Sequence, residues 1–256
     1  MKLEAHLRSR RDSGRKLLVP YVTGGLGEPW LQIVQAVVAA GADAVEVGIP
    51  FSDPIMDGKT IQEASQRALS LGASFSSVVA ELSTLDIDVP VIIMSYYNPI
   101  HHTGHIRSAS MLAAAGVDAA IIPDCPLDEI KPWAEAADPA GIETILLAAP
   151  TTPPERLARI CERSRGFVYG VSLMGVTGER TELASQAAVM GKRLKATTDM
   201  PVLLGVGIST PEQAVAAASS ADGVIVGSAL ISRLLRGEGP DEAFAFIESI
   251  RTALDA

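Results

Sequence analysis

Apolar and polar positions along the chain follow two alternating periods. Short apolar runs stand at Leu17–Val22, Asp43–Val47, Val89–Met94, Val117–Ile122, Glu143–Leu147, Gly166–Val171, Pro201–Leu204 and Asp222–Val226. Between them apolar residues recur every three or four positions. Pro29–Ala40 is one such stretch, and another starts near Thr60 with Ile61, Ala64, Ala68 and Leu69. A third carries Leu183, Ala187, Met190 and Leu194, and a last one runs from about Asp241 to Leu254. The short runs predict strands covered on both faces, and the longer period predicts amphipathic helices. Leu3 and Leu7 add a short helix before the first strand. Eight strand candidates, each followed by a helix, predict parallel βα units. A single (β/α)8 TIM barrel with an extra N-terminal helix, one domain over residues 1–256, satisfies this count. An open doubly wound sheet is the rival. Its first loop should carry a dinucleotide fingerprint, and Gly24-Gly25-Leu26-Gly27 lacks that spacing.

Composition narrows the function. Hydrophobic residues are 48% of the 256, enough for a sizeable core. The net charge of −9, with scattered Lys and Arg, favours neither nucleic acid nor an anionic membrane as a partner. Two cysteines, Cys125 and Cys161, are too few for a disulfide framework and read as reduced thiols. The N-terminal stretch is polar, and no later apolar run is long enough to span a membrane. A cytoplasmic protein is expected.

Chemistry concentrates around the second strand. Glu46 is a carboxylate inside an apolar run, where burial is costly unless the group is paired or used. Asp57 follows in a loop dense in Gly, Pro and Asp. Two acids in unlike environments can have separated pKa values, which suits acid–base work. The blander alternative has Glu46 facing solvent and the loop acids making turns, and Asp53 before Pro54 fits a turn equally well. In a barrel, the loops after strands seven and eight often bind phosphate through backbone amides. Here they are Gly205-Val206-Gly207-Ile208-Ser209 and Gly227-Ser228-Ala229-Leu230, although their glycines can also be plain turn-formers. Gly175-Val176-Thr177-Gly178 after strand six suits a lid that excludes water, with an ordinary surface loop as the alternative. His101, His102 and His105 lack an acidic partner nearby in sequence and read as a solvated loop, not a metal site. No lysine stands at a strand end, which argues against imine chemistry.

The stretch Glu46–Gln62 contains Gly-Ile-Pro-Phe-Ser-Asp-Pro, then Asp-Gly and Ile-Gln. It closely resembles the signature of the tryptophan synthase alpha chain family. The resemblance runs from about Lys16 to Ser232. It includes Pro20-Tyr21-Val22-Thr23, Tyr96-Tyr97-Asn98-Pro99, Pro123-Asp124-Cys125-Pro126, Gly166-Phe167-Val168-Tyr169 and Val226-Gly227-Ser228-Ala229. The resemblance implies a lyase that splits indole-3-glycerol phosphate into indole and glyceraldehyde 3-phosphate. It implies catalytic roles for Glu46 and Asp57 and a substrate pocket at Tyr21, Tyr96, Tyr169 and Thr177. It places the phosphate at Gly178, Gly207, Gly227 and Ser228. It further implies no cofactor in this chain, and a beta chain partner that holds pyridoxal phosphate, in an alpha2-beta2 heterotetramer.

The chain departs from the family pattern in three places. The first loop reads Thr23-Gly24-Gly25-Leu26-Gly27-Glu28-Pro29, Met56 and Lys59 replace the common alanine and proline, and Val206 replaces phenylalanine. None removes a catalytic group. The loop changes bear on partner contact and leave two alternatives open: a stand-alone lyase that releases indole, or a mainly regulatory subunit that activates a beta chain.

Overall fold

The computed structural model describes residues 2–171 and 180–256, and for 180–186 the backbone alone. Eight strands form the barrel: β1 (Leu17–Thr23), β2 (Val45–Gly48), β3 (Val91–Met94), β4 (Ala119–Ile121), β5 (Glu143–Ala148), β6 (Val168–Val171), β7 (Val202–Gly205) and β8 (Gly223–Val226). Each pairs in parallel with its neighbours in sequence, and β8 closes on β1. The (β/α)8 expectation is therefore met. The helices are α1 (Leu3–Asp12), α2 (Trp30–Ala39), α3 (Lys59–Ser70), α4 (Phe75–Leu82), α5 (Tyr97–Thr103), α6 (His105–Ala114), α7 (Lys131–Ala140), α8 (Pro154–Arg163), α9 (Arg180–Thr197), α10 (Pro211–Ala218), α11 (Ser228–Leu235) and α12 (Pro240–Asp255).

Strand alternation sorts the core into two layers. Leu17, Val19, Ala44, Ile92, Ile121, Ile145, Phe167, Leu203 and Ile225 fill the barrel interior. Val45, Val47, Ile93, Leu146, Val168 and Val224 point outward and pack under the helices. Each fully buried aliphatic side chain contributes about 1.5–3 kcal/mol. Helix α1 closes the N-terminal end, with Leu3 and Leu7 fully buried in the interior cluster. The Glu143 carboxylate accepts from the Glu4 backbone N–H at 2.8 Å, satisfying a first-turn donor of that helix.

The same end is stitched by a repeated device. The residue leading into a strand accepts, through its side chain, a backbone N–H of the preceding strand. Asp43 serves Leu18 at 2.9 Å, Asp118 serves Val91 at 3.1 Å, and Asp222 serves Val202 at 2.8 Å. Between β5 and β6, Ser164 Oγ accepts from Leu146 N at 3.1 Å. Lys16 Nζ donates to Ala218 O and Ala221 O here, on the face opposite the strand C-termini.

One expectation is corrected. The segment 95–104, which reads as a loop, contains α5. Pro99 sits in that helix's first turn, where a missing N–H costs nothing, and Asp124 accepts from the Tyr97 N–H at 2.8 Å. The histidines consequently end α5 and begin α6. His101 and His102 are exposed, while His105 is half-buried with Nε2 3.0 Å from the Tyr97 hydroxyl.

Candidate active site

Inward residues at the C-terminal ends of the strands surround a cavity of about 470 Å³. Tyr21, Glu46, Met94, Leu147, Tyr169, Val171, Gly205, Ile225 and Gly227 all line it, as the pleat requires. The loop between β2 and α3 contributes Met56, Asp57 and Gly58, and α3 contributes Ile61. Most of this wall is apolar, which suits a flat aromatic guest.

Glu46 is central. Its register partners are Tyr21 on β1 and Ile92 on β3, and it points into the barrel with 1% of its surface exposed. Among the described residues its buried Oε2 has no hydrogen-bond partner. Burial first, and then the nearby Asp57 charge, pushes its pKa up to about 8. The expectation of a buried acid facing the barrel mouth is thus met, and the solvent-facing alternative is not.

Asp57 is held by its loop. Its N–H donates to Pro54 O at 3.0 Å, and its carbonyl accepts from Gln62 Nε2 at 2.8 Å. Burial pushes its pKa up to about 6, opposed by a hydrogen bond from the Tyr96 hydroxyl. That hydroxyl also accepts from the Met56 N–H at 2.9 Å, and the Tyr96 ring stacks on Phe51 at 5.2 Å. Tyr96 therefore braces the loop from behind and does not line the cavity. Asp53 is exposed and accepts from Ser52 Oγ at 2.6 Å, the turn-forming role.

Across the mouth, Gly207 and Gly227-Ser228 line the cavity. Ser228 begins α11, and Gly227 is its N-cap with no side-chain cap. The first-turn N–H groups there keep their positive dipole end. Gly207 adopts φ +75°, which favours glycine. Among the described residues lining the cavity there is no Lys, Arg or His. Among these residues an anion would be met by backbone amides and the Ser228 hydroxyl. Thr177 and Gly178, and with them the expected lid, lie outside the described residues.

The sequence reading missed Met94, Leu147, Ile61 and Ile225 as pocket walls. The last inward position of each predicted strand was the available signal. Met56, singled out for partner contact, also lines the cavity, while Val206 packs in the outer layer instead. Cys125 is buried, and burial pushes its thiol up to about 11, so it stays inert as expected. No group of three or more His, Cys, Asp or Glu suited to a metal occurs among the described residues. Nor is any described helix long and apolar enough to cross a membrane.

A closed parallel barrel with its polar groups gathered at the C-terminal ends of the strands belongs to the class of (β/α)8 barrel enzymes. Comparison with known proteins makes this particular. The family profile described as tryptophan synthase alpha chain matches residues 7–251. The tryptophan synthase alpha chain of Chloroflexus aggregans is 44% identical, covering 96% of this chain and 95% of its own length. That of Picosynechococcus sp. is 42% identical, covering 96% and 97%. A structure of Mycobacterium tuberculosis tryptophan synthase superposes with TM-score 0.91 at 37% identity, covering 99% of this chain and 98% of the other. The subunit alpha of Legionella pneumophila gives 0.88 at 34%. The chain belongs to the tryptophan synthase alpha chain family, a lyase subunit of tryptophan biosynthesis whose partner is a beta chain.

Proposed function

We propose that the chain, as one barrel domain over residues 1–256, cleaves indole-3-glycerol phosphate by a retro-aldol step, with Glu46 and Asp57 as its catalytic residues. The supporting observation is the pair of acids shifted to opposite sides of neutrality, about 8 and about 6, at one apolar cavity. At pH 7 Glu46 is then mainly protonated and Asp57 mainly ionised. Indole leaves poorly as a carbanion until C3 is protonated. Glu46 delivers that proton while the Asp57 carboxylate accepts the ring N–H and stabilises the developing positive charge. The Glu46 carboxylate so formed takes the proton of the side-chain hydroxyl next to the ring. The C–C bond breaks, its electron pair restores the indole ring, and Glu46 ends protonated as it began. Every step is a proton transfer or a charge stabilisation that carboxylates supply.

Tyr21, Tyr169 and the apolar wall hold the indole, and the family resemblance adds Thr177, which lies outside the described residues. Tyr96 acts by holding Asp57. The phosphate is bound by the amides of Gly178, Gly207, Gly227 and Ser228. Ile55 and Met56 stand exposed on the loop that carries Asp57, a surface suited to the beta chain. An alpha2-beta2 assembly in the cytoplasm, with pyridoxal phosphate in the beta chain, completes the reading. The test is lyase turnover of indole-3-glycerol phosphate with and without added beta chain. Turnover by the chain alone, raised by the beta chain, is expected. Activity equal in both assays would mark a stand-alone lyase, and none in either would leave a regulatory subunit.

A further inference from the structure

Helix α5 starts on an aromatic residue, where a small polar one is the rule. Tyr96 is its N-cap and makes no side-chain cap. In α4 and α10 the N-cap hydroxyl does that work, Ser74 accepting from the Ser77 N–H and Thr210 from the Gln213 N–H. Tyr96 sends its side chain elsewhere. Its hydroxyl accepts from the Met56 N–H at 2.9 Å, and its ring stacks on Phe51 at 5.2 Å. Both contacts fall on the loop that carries Asp57, one of them on the residue next to it.

The cap of α5 comes instead from another loop of the mouth. Asp124 follows β4, and its Oδ1 accepts from the Tyr97 N–H at 2.8 Å. The Tyr96 carbonyl belongs to the same peptide unit and accepts from the buried Ser95 Oγ at 3.1 Å. That peptide is thus gripped at both ends, and the grip sets the direction in which the Tyr96 side chain leaves the backbone. A carboxylate here also suits the positive end of the helix, whose first turn already lacks one donor at Pro99. Asp124 is half-buried and does not line the cavity, so it reaches the chemistry only through other residues. The contacts cross three loops in one direction. Asp124 after β4 holds the start of α5, Tyr96 there holds Phe51 and Met56, and Asp57 follows Met56.

Resting on the reading that Glu46 and Asp57 run the chemistry, we propose that Asp124 is a positioning residue for the lyase reaction, orienting Tyr96 and through it the loop that presents Asp57 to substrate. A serine or threonine at position 96 would cap α5 equally well, but it would leave no aromatic side chain to reach that loop. The N-cap position is given to the site, and the capping to a neighbouring loop.

The test compares Asp124→Ala, Asp124→Asn, Tyr96→Phe and the double variant of Asp124→Ala with Tyr96→Phe. Turnover of indole-3-glycerol phosphate is measured with the beta chain present and expressed per folded molecule. For Asp124→Ala, kcat should fall about tenfold with KM within about threefold. Asp124→Asn keeps an oxygen acceptor and should stay within about threefold of wild type. Tyr96→Phe should also lose about tenfold. The double variant should lose about tenfold, not about a hundredfold, because both residues act along one chain of contacts. Amide exchange of the Met56 N–H gives a readout that needs no turnover. It should quicken about tenfold in Asp124→Ala and in Tyr96→Phe, and no further in the double variant. If Asp124→Ala does not fold, Asp124→Ser takes its place, since a serine hydroxyl is too short to reach the Tyr97 N–H. Losses that multiply in the double variant overturn the proposal, as do wild-type turnover and Met56 exchange in Asp124→Ala. If the latter happens while Glu46→Gln and Asp57→Asn are dead, the two-acid reading stands and only the role of Asp124 fails. If those two variants turn over like wild type, that reading falls first, and Met56 exchange still decides whether Asp124 positions the loop.

Discussion

Asp43 and Glu46 stand three positions apart at opposite ends of the second strand, and each is 1% exposed. Asp43 is surrounded by donors. Arg15 Nε reaches Oδ1 at 2.8 Å, while the Leu18 N–H at 2.9 Å and Arg251 Nη1 at 3.3 Å reach Oδ2. Glu46 has an oxygen without a partner among the described residues and a second acid nearby. Burying an ionised carboxylate costs several kcal/mol unless partners replace water. The N-terminal end of the barrel offsets that cost with paired cations and strand-opening N–H groups. At the mouth the cost stands, and Glu46 responds by holding its proton. One end is paired for stability and the other is left for the proton transfer proposed above, and the same residue chemistry serves both through its surroundings.

The sharpest way to break this contrast is to neutralise one acid at each end. Glu46→Gln should lower kcat by about 10²–10⁴-fold, the range for a positioned acid–base group, with substrate still bound. Asp57→Asn should behave alike, about 10²–10³-fold, through lost charge stabilisation. Thermal melts run alongside confirm that each variant is folded. Turnover within tenfold of wild type would remove either residue from its role.

At the other end the effect should fall on stability. Asp43→Ala leaves Arg251, itself 6% exposed, facing a lost carboxylate, although Asp255 and Lys16 O still hold it. Breaking such a buried pair costs about 3–5 kcal/mol, read by chemical denaturation. Turnover per folded molecule should stay as in wild type. Lost turnover without lost stability would contradict the division between the two ends.

Proton linkage gives a third, smaller test. Glu46 has a folded pKa of about 8 against an ordinary 4.5, so between these values the folded state binds more protons than the unfolded one. The stability it contributes is full below about pH 4.5 and is lost as pH rises toward 8. The loss at pH 7 is at most about 3.4 kcal/mol, 2.5 pH units at roughly 1.36 kcal/mol each. Glu46→Gln mimics the protonated form and should therefore out-stabilise wild type by a margin that grows from pH 5 to 8 and then levels. A margin independent of pH would mean that the carboxyl titrates normally.

Much of this contrast could be read from the chain. Glu46 was visible because one acid interrupts an apolar strand, and the strands themselves were visible as apolar runs. Their ends were less so. Val89 and Pro90 look like strand, yet β3 starts at Val91, while Pro90 O accepts from the Val45 N–H. Helix α5 was hidden because Asn98, Pro99 and Gly104 read locally as breakers, and its cap, Asp124, comes from a distant loop. The Tyr21 ring rests where a Cβ on Gly48 would lie, and this fit depends on the register between two strands, which no single segment encodes. Likewise the partners of Asp43 come from residues 15, 18 and 251, so no local pattern separates it from Glu46, whose Oε2 has no partner among the described residues.

The smallest expected effect concerns the side of the mouth proposed for the phosphate, where no Lys, Arg or His lines the cavity among the described residues. Gly227 caps α11 without a side chain, and the three atoms nearest to a Cβ there are Tyr21 carbons, the closest at 3.4 Å, an ordinary contact. Its φ is −115°, so the backbone does not demand glycine. Gly227→Asp should therefore fold. It places a negative charge at the positive end of a helix, which in itself is not destabilising. The same charge occupies the position proposed for the phosphate and repels it. KM should rise about tenfold, the equivalent of roughly 1.4 kcal/mol, while kcat at saturation changes far less. Inorganic phosphate and glycerol phosphate should stop competing with substrate in the variant. The contrary result would be a crystal soaked in glycerol phosphate with the anion bound elsewhere and the amides of Gly227 and Ser228 free. The glycines would then only turn the chain, and the acids at the mouth would face no anion site.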